Sequence, residues 1–226
     1  MKDLLKRLFK NGFIQILQLA FLIFAIFIIP LFPVNWVDVL YTILLSAILF
    51  TSIFSLKSGW KRTFIFALIT FFILWISRML NLPFLKFISS FMVISFFIVL
   101  VVRLIIQIAK SKYVDEGVIA EAISGYLLLG VMFAYVVDVV TYFYPESINF
   151  PNVDIVTMAD SVYFTFVTIS TLGYGDVLPT IPIARSLAIL ISVSGQVYLT
   201  VIIAMLVGKY ISGKPPVNSE TSKTDK

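Results

Sequence analysis

The 226-residue chain has no cysteine and no histidine. The first absence excludes disulfides and thiolate metal sites. The second removes the commonest metal ligand and general base. Charge is scarce as well: 13% of residues are charged and 60% are hydrophobic, a balance foreign to soluble domains and ordinary for multi-span membrane proteins. No phosphate-binding glycine loop or zinc spacing occurs, and Gly173-Tyr174-Gly175 lacks the third glycine and the strand context of a dinucleotide fingerprint. The chain is therefore read as a non-enzyme with no cofactor. Its net charge of +5 would suit nucleic acid, but the basic residues flank apolar runs. Positive-inside topology accounts for them, and no nucleic-acid partner is expected.

Six apolar runs reach the length of about 20 residues that a bilayer requires: 12–32, 36–56, 63–80, 84–109, 118–144 and 182–211. Breakers separate them, with Pro30 and Pro33, then Lys57-Ser58-Gly59, then Asn81-Leu82-Pro83. The first run follows Lys2, Lys6, Arg7 and Lys10, and it reads as a retained span because it is long for a signal peptide and lacks a small-residue cleavage site. With both termini in the cytoplasm, only Arg78, Lys86 and Arg185 of the 17 basic residues fall outside. The stretch 145–182 has no Lys or Arg but carries Glu146, Asp154, Asp160 and Asp176. It is placed outside, where its sign would concentrate cations.

Asp160–Ser170 reads as a helix too short to cross a bilayer, with Asp160 or Ser161 as its cap. The irregular backbone after it survives at membrane depth only when shielded by protein or lining a wet cavity. A re-entrant loop satisfies both conditions. The helix is followed by Thr171-Leu172-Gly173-Tyr174-Gly175 and then Asp176. A dehydrated cation needs rings of oxygens, and backbone carbonyls supply them only if successive ones point the same way. Alternate residues must then take unusual dihedrals, which Gly173 and Gly175 reach at little cost.

The stretch from Asp160 to Pro179 resembles the pore region of prokaryotic members of the potassium channel superfamily, and the resemblance extends over roughly residues 120 to 210. It implies carbonyl coordination of K⁺ by Thr171, Leu172, Gly173 and Tyr174, with the Thr171 hydroxyl adding a ligand and Tyr174 packing outward. Gly175 and Asp176 would shape the outer mouth. Val167 stands where some potassium channels carry a carboxylate that pairs with the Asp after the filter, so Asp176 is expected to find another donor, Tyr163 or a backbone amide. Tyr163 and Phe164 stand where many family members have tryptophans. They read as an aromatic cuff or as lipid-interface anchors. Gly195, in the middle of the last span, reads as a gating hinge or as a close helix contact. As a hinge, its replacement in Gly195→Ala should stiffen the helix and shift the closed–open balance while leaving K⁺/Na⁺ selectivity intact. Ala204 and Gly208 form a small-xxx-small pair. Arg185 snorkels to headgroups or serves as the basic residue that related channels often carry there.

Six spans with a pore between the last two invite comparison with voltage-gated channels. The fourth run, however, has only Lys86 and Arg103, near its ends, and no Asp or Glu lies between Asp38 and Asp115. Too little charge is present to sense the field strongly, and the first four spans show no identifiable ligand chemistry.

The expected architecture is an all-α integral membrane protein: a four-helix membrane domain (1–112), a pore domain (113–212) with outer helix, re-entrant pore helix, filter and inner helix, and a disordered cytoplasmic tail (213–226). With one filter segment per chain, a K⁺ pore requires a homotetramer. The expected function is selective, passive K⁺ conduction across a plasma membrane. The alternatives are a weakly selective cation channel and a non-conducting membrane sensor or scaffold.

Overall fold

A computed structural model describes residues 13–55, 60–80, 82–111, 114–151 and 155–212. Several expectations lie outside these residues: the basic side chains at positions 2, 6, 7, 10, 57, 112, 214, 223 and 226, Asp154, and the tail 213–226; at 61 and 62 the backbone is described and the side chains are not.

The fold is almost wholly helical, as the composition demands. Among the described residues, six helical stretches are long and apolar enough to cross a membrane: Phe13–Leu31, Val34–Ser52, Thr63–Leu80, Pro83–Lys110, Glu116–Phe143 and Pro182–Ile211. Their bounds follow the sequence breakers closely. The helices are α1 (Phe13–Ile23), α2 (Val34–Ser55), α3 (Trp60–Leu80), α4 (Pro83–Lys110), α5 (Glu116–Phe143), the short α6 (Met158–Ile169) and α7 (Pro182–Ser212). The first span does not stay α-helical. It widens to a π turn over Phe24–Ile28 and tightens to a 3-10 turn over Ile29–Leu31. Pro30 is the physical cause: it has no amide to donate, and its ring clashes with the carbonyl four residues back. At α4, Pro83 takes the first helical position, where no amide donor is missed. α5 starts at Glu116 because Asp115 caps it, Oδ1 accepting from the Val118 amide at 2.8 Å.

The core lies between α4 and α5, where Phe96, Phe97, Leu100, Leu104 and Leu128 are fully buried. α1 and α4 both pack on α5, so the four N-terminal spans and the C-terminal part share one hydrophobic cluster. Many polar side chains in these spans are bonded locally or to one another, since lipid offers no partner, while the buried hydroxyls of Tyr41 and Ser124 have none. Thr42, Ser46, Thr70 and Thr141 donate to carbonyls four residues back. The buried Glu121 on α5 accepts from Gln15 of α1 at 3.3 Å and from Gln107 of α4 at 2.6 Å. The Lys209 ammonium on α7 donates to the carbonyls of Ile108, Ala109 and Ser111 at 2.6–2.7 Å. It thereby caps the negative end of α4.

Candidate functional site

α6 begins two residues earlier than its sequence suggests. Thr157, not Asp160 or Ser161, is the N-cap. Asp160 occupies the third helical position, where its Oδ2 accepts from both the amide and the hydroxyl of Thr157 at 2.8 Å. This is the acidic half of a capping box, and a carboxylate there also suits the positive end of the helix dipole. The helix wedges between α5 and α7. Val162, Phe164, Thr165 and Ile169 are buried.

Glycine makes that wedge possible. A Cβ at Gly130 of α5 would meet the Phe166 ring at 2.3 Å, and one at Gly125 would meet the Tyr198 hydroxyl at 2.1 Å. That hydroxyl donates to the Ala122 carbonyl at 2.8 Å, tying α7 to α5. On α7, a Cβ at Gly195 would come within 2.4 Å of Ile169 Cγ1 and 2.6 Å of the Ile169 carbonyl oxygen. Of the two sequence readings of Gly195, the close contact is present, and α7 runs unbroken through it. The expectation that Gly195→Ala spares the filter is revised for a physical reason. An added methyl presses on the last residue of α6, two positions before Thr171.

The segment after α6 turns back on its own helix. The Val167 carbonyl accepts from the amides of Leu172 at 3.0 Å and Gly173 at 3.2 Å, while the Thr168 carbonyl accepts from Thr171 at 3.0 Å. All peptide bonds here are trans, and in a trans peptide the carbonyl of one residue points opposite to the amide of the next. The Thr171 and Leu172 carbonyls therefore both point away from α6. Such parallel carbonyls need alternating backbone hands, and φ is positive at every second residue: Thr171 (59°), Gly173 (57°) and Gly175 (80°). The two glycines were legible in the sequence. Thr171 was not, and it is the only non-glycine with positive φ among the described residues. Its conformation costs about 1–2 kcal/mol and persists because the surroundings hold it.

Residues 171–176 are all exposed in the single chain. Leu172 and Tyr174 present their side chains, the latter two-thirds exposed, and a Cβ at Gly173 or Gly175 would meet nothing within 4 Å. Of the aromatic pair, Phe164 is buried, so lipid anchoring does not describe it. The Tyr163 hydroxyl donates to Asp176 Oδ2 at 2.5 Å, across 13 residues. This supplies the donor that Val167 cannot. The bond holds the Asp176 carboxyl below the usual carboxylate range and pushes the Tyr163 phenol up. Beyond Asp176, strand β2 (Leu178–Pro179) pairs antiparallel with β1 (Ile148–Asn149), Ile148 opposite Pro179. The Thr180 amide donates to the Ser147 carbonyl at 2.9 Å, and Arg185 Nε donates to the Pro179 carbonyl at 3.4 Å. Arg185 thus has a partner in the clasp that its reading as a snorkelling residue did not anticipate. No local signal marks such long-range pairs.

Known proteins resemble part of this chain. Residues 127–212 match the model of an ion-channel family. A protein described as a voltage-gated potassium channel, from Aeropyrum pernix, is 30% identical over 100 residues, which cover 43% of this chain. The match spans only 31% of that relative's length. No solved structure matches the chain. Both matches point to a channel, not an enzyme.

Two outcomes follow from these contacts. The depressed Asp176 pKa means that the Tyr163–Asp176 bond is fully formed above the ordinary carboxylate pKa and is lost as pH falls through the lower, folded value. Tyr163→Phe should move the Asp176 titration up toward the ordinary carboxylate range, since the phenol hydrogen bond is the largest cause of its depression. Carboxyl-carbon NMR of labelled protein reads this, and an unchanged titration would show that the phenol is not its cause. Gly195→Ala should destabilise the fold by about 1–3 kcal/mol through overpacking against a backbone carbonyl, seen as a lower unfolding midpoint. A wild-type midpoint would mean that α7 moves aside freely.

Proposed function

We propose that four copies of this chain assemble around the filter segment as a K⁺-selective channel. The observation that supports the reading best is the common direction of the Thr171 and Leu172 carbonyls, produced by positive φ at Thr171, Gly173 and Gly175. One chain offers a single column of such oxygens. Four columns facing one axis would replace the hydration shell of a K⁺ ion, with Gly173 and Tyr174 continuing the column and the Thr171 hydroxyl adding ligands at one end. In such a ring, residues 171–176, exposed in the single chain, would face the axis and the neighbouring subunits. Tyr174 would find its packing partner in an adjacent subunit. In the proposed orientation both termini are cytoplasmic, the membrane is the plasma membrane, and Glu146 and Asp176 lie at the outer mouth, where they favour cations.

Gly195 would serve as the gating joint. Bending α7 there separates it from Ile169, so the close contact and the hinge are one device. α4 carries Lys86, Arg103 and Lys110, and the Arg103 guanidinium donates to Thr63 Oγ1 at 2.6 Å. That is far from a ladder of movable charges.

In liposomes or planar bilayers with K⁺ on one side and Na⁺ on the other, the reversal potential should lie near the K⁺ limit. Gly173→Ala should abolish selective current, because a Cβ makes the left-handed backbone costly by about 1–2 kcal/mol in each subunit. A wild-type reversal potential near zero would defeat the reading. In symmetric K⁺, conductance should rise only weakly with voltage, since each charge moved is worth about 2.3 kcal/mol per 100 mV and few are available. A steep curve needing several charges per subunit would contradict this account of α4.

A further inference from the structure

A cavity of about 490 Å³ opens among α2, α3, α4 and α5 and reaches Met158, the first residue of α6. It lies at the same end of the bundle as the exit of the filter segment: Asp38 is in the first turns of α2, Arg78 in the last turn of α3, and Lys86 in the first turn of α4. Its volume falls within the range of small-molecule sites, about 300–1,000 Å³. Among its lining residues are two carboxylates, Asp38 and Asp138, and two cations, Arg78 and Lys86.

These charges do not neutralise one another in pairs. Among the described residues, no ion pair joins either carboxylate to either cation. Arg78 spends its donors on the Asp38 carbonyl at 3.1 Å and on Thr42 Oγ1 at 3.2 Å. Lys86 stands over the Tyr142 ring, 4.6 Å from its centre. A second observation is independent of the charges. Tyr41 also lines the cavity and is only 6% exposed, yet its hydroxyl has no hydrogen-bond partner. Such a buried orphan is costly unless something occupies the space beside it.

We propose that this cavity binds a small zwitterion, a molecule carrying an ammonium group and a carboxylate or phosphate a few bonds apart. The four charged side chains sum to zero. A simple cation would gain from Asp38 and Asp138 what it loses to Arg78 and Lys86, and a simple anion would meet the reverse. A zwitterion oriented with its ammonium toward the carboxylates and its anionic group toward Arg78 and Lys86 gains on both sides. Its polar groups also give the Tyr41 hydroxyl a partner. Leu74, Val93 and Met158 supply an apolar wall for a short side chain. Because Met158 opens α6, occupancy bears directly on the helix that carries the filter segment. The chemistry is shared by free amino acids and by ethanolamine lipid headgroups. The site stands on the cavity alone and does not require that the chain conduct.

The test uses the full chain in detergent, titrated with L-leucine and O-phosphoethanolamine as zwitterions, ethylamine as the cation alone, and acetate as the anion alone. The unfolding midpoint is the readout. At least one zwitterion should raise it saturably by a few degrees, while ethylamine and acetate at equal concentration should not. Tyr41→Phe deletes the orphan hydroxyl, so it should leave the ligand-free midpoint unchanged or higher while weakening zwitterion binding about tenfold. Asp138→Asn should weaken it at least as much, and Tyr41→Phe decides the matter if that variant does not fold. In nanodiscs, loss of L-leucine affinity in phosphatidylethanolamine relative to phosphatidylglycerol assigns a lipid source, and equal affinity assigns a soluble one; both uphold the chemistry. No shift with either zwitterion, an equal shift with ethylamine or acetate, or wild-type binding by Tyr41→Phe overturns the proposal.

Discussion

The Val167 carbonyl, accepting two successive amides from the chain that folds back over it, is the interaction on which the site depends. Backbone in an ordinary strand alternates its carbonyls between two sides. Turning two in a row away from α6 requires their amides to turn toward it, and α6 can accept them because the last carbonyls of a helix have no partner within it. The unsatisfied end of a short helix thus becomes the template for the irregular segment. The cost is backbone strain at Thr171, which no glycine relieves.

Strained backbone persists only inside a frame, and the frame is visible on every side. Gly130 and Gly195 let α5 and α7 close on α6 at distances no side chain would allow. Tyr163 reaches across to Asp176, and the two-residue strands join the approach to α6 with the chain leaving residues 171–176. These contacts come from different helices and differ in chemistry, yet all bear on the segment 163–180. The N-terminal spans enter the same frame through shared packing on α5 and through Lys209, whose ammonium joins the end of α7 to the end of α4.

In an apolar solvent, a buried polar side chain is either bonded or informative. Most of those here are bonded: hydroxyls to the preceding turn, and Glu121 to two glutamines. The hydroxyls of Tyr41, Ser124, Ser161 and Thr165 depart from the pattern, and of these only Tyr41 lines the cavity that four charged side chains surround. Reading the spans singly, as apolar lengths with few charges, hid this. Asp38, Arg78, Lys86 and Asp138 belong to four different helices, and only antiparallel packing brings them to one end.

The sequence alone determined the spans, because hydropathy and proline breaks act over a few turns and need no partner. It also marked residues 171–175 as a segment of unusual backbone, because Gly173 and Gly175 reach positive φ at little cost. It held the true start of α6 in the Thr157–Asp160 spacing, obscured because Asp160 suits a cap as well as the third helical position. Tertiary structure decided the rest. It placed Thr171 in a left-handed conformation that threonine does not favour, set Gly195 against the Ile169 carbonyl, and gave Arg185 and Lys209 carbonyl partners. It also gathered the charged cavity. The Gly195 contact, the Lys209 cap and the cavity depend on distances between residues far apart in the chain, and such distances exist only once the helices have packed.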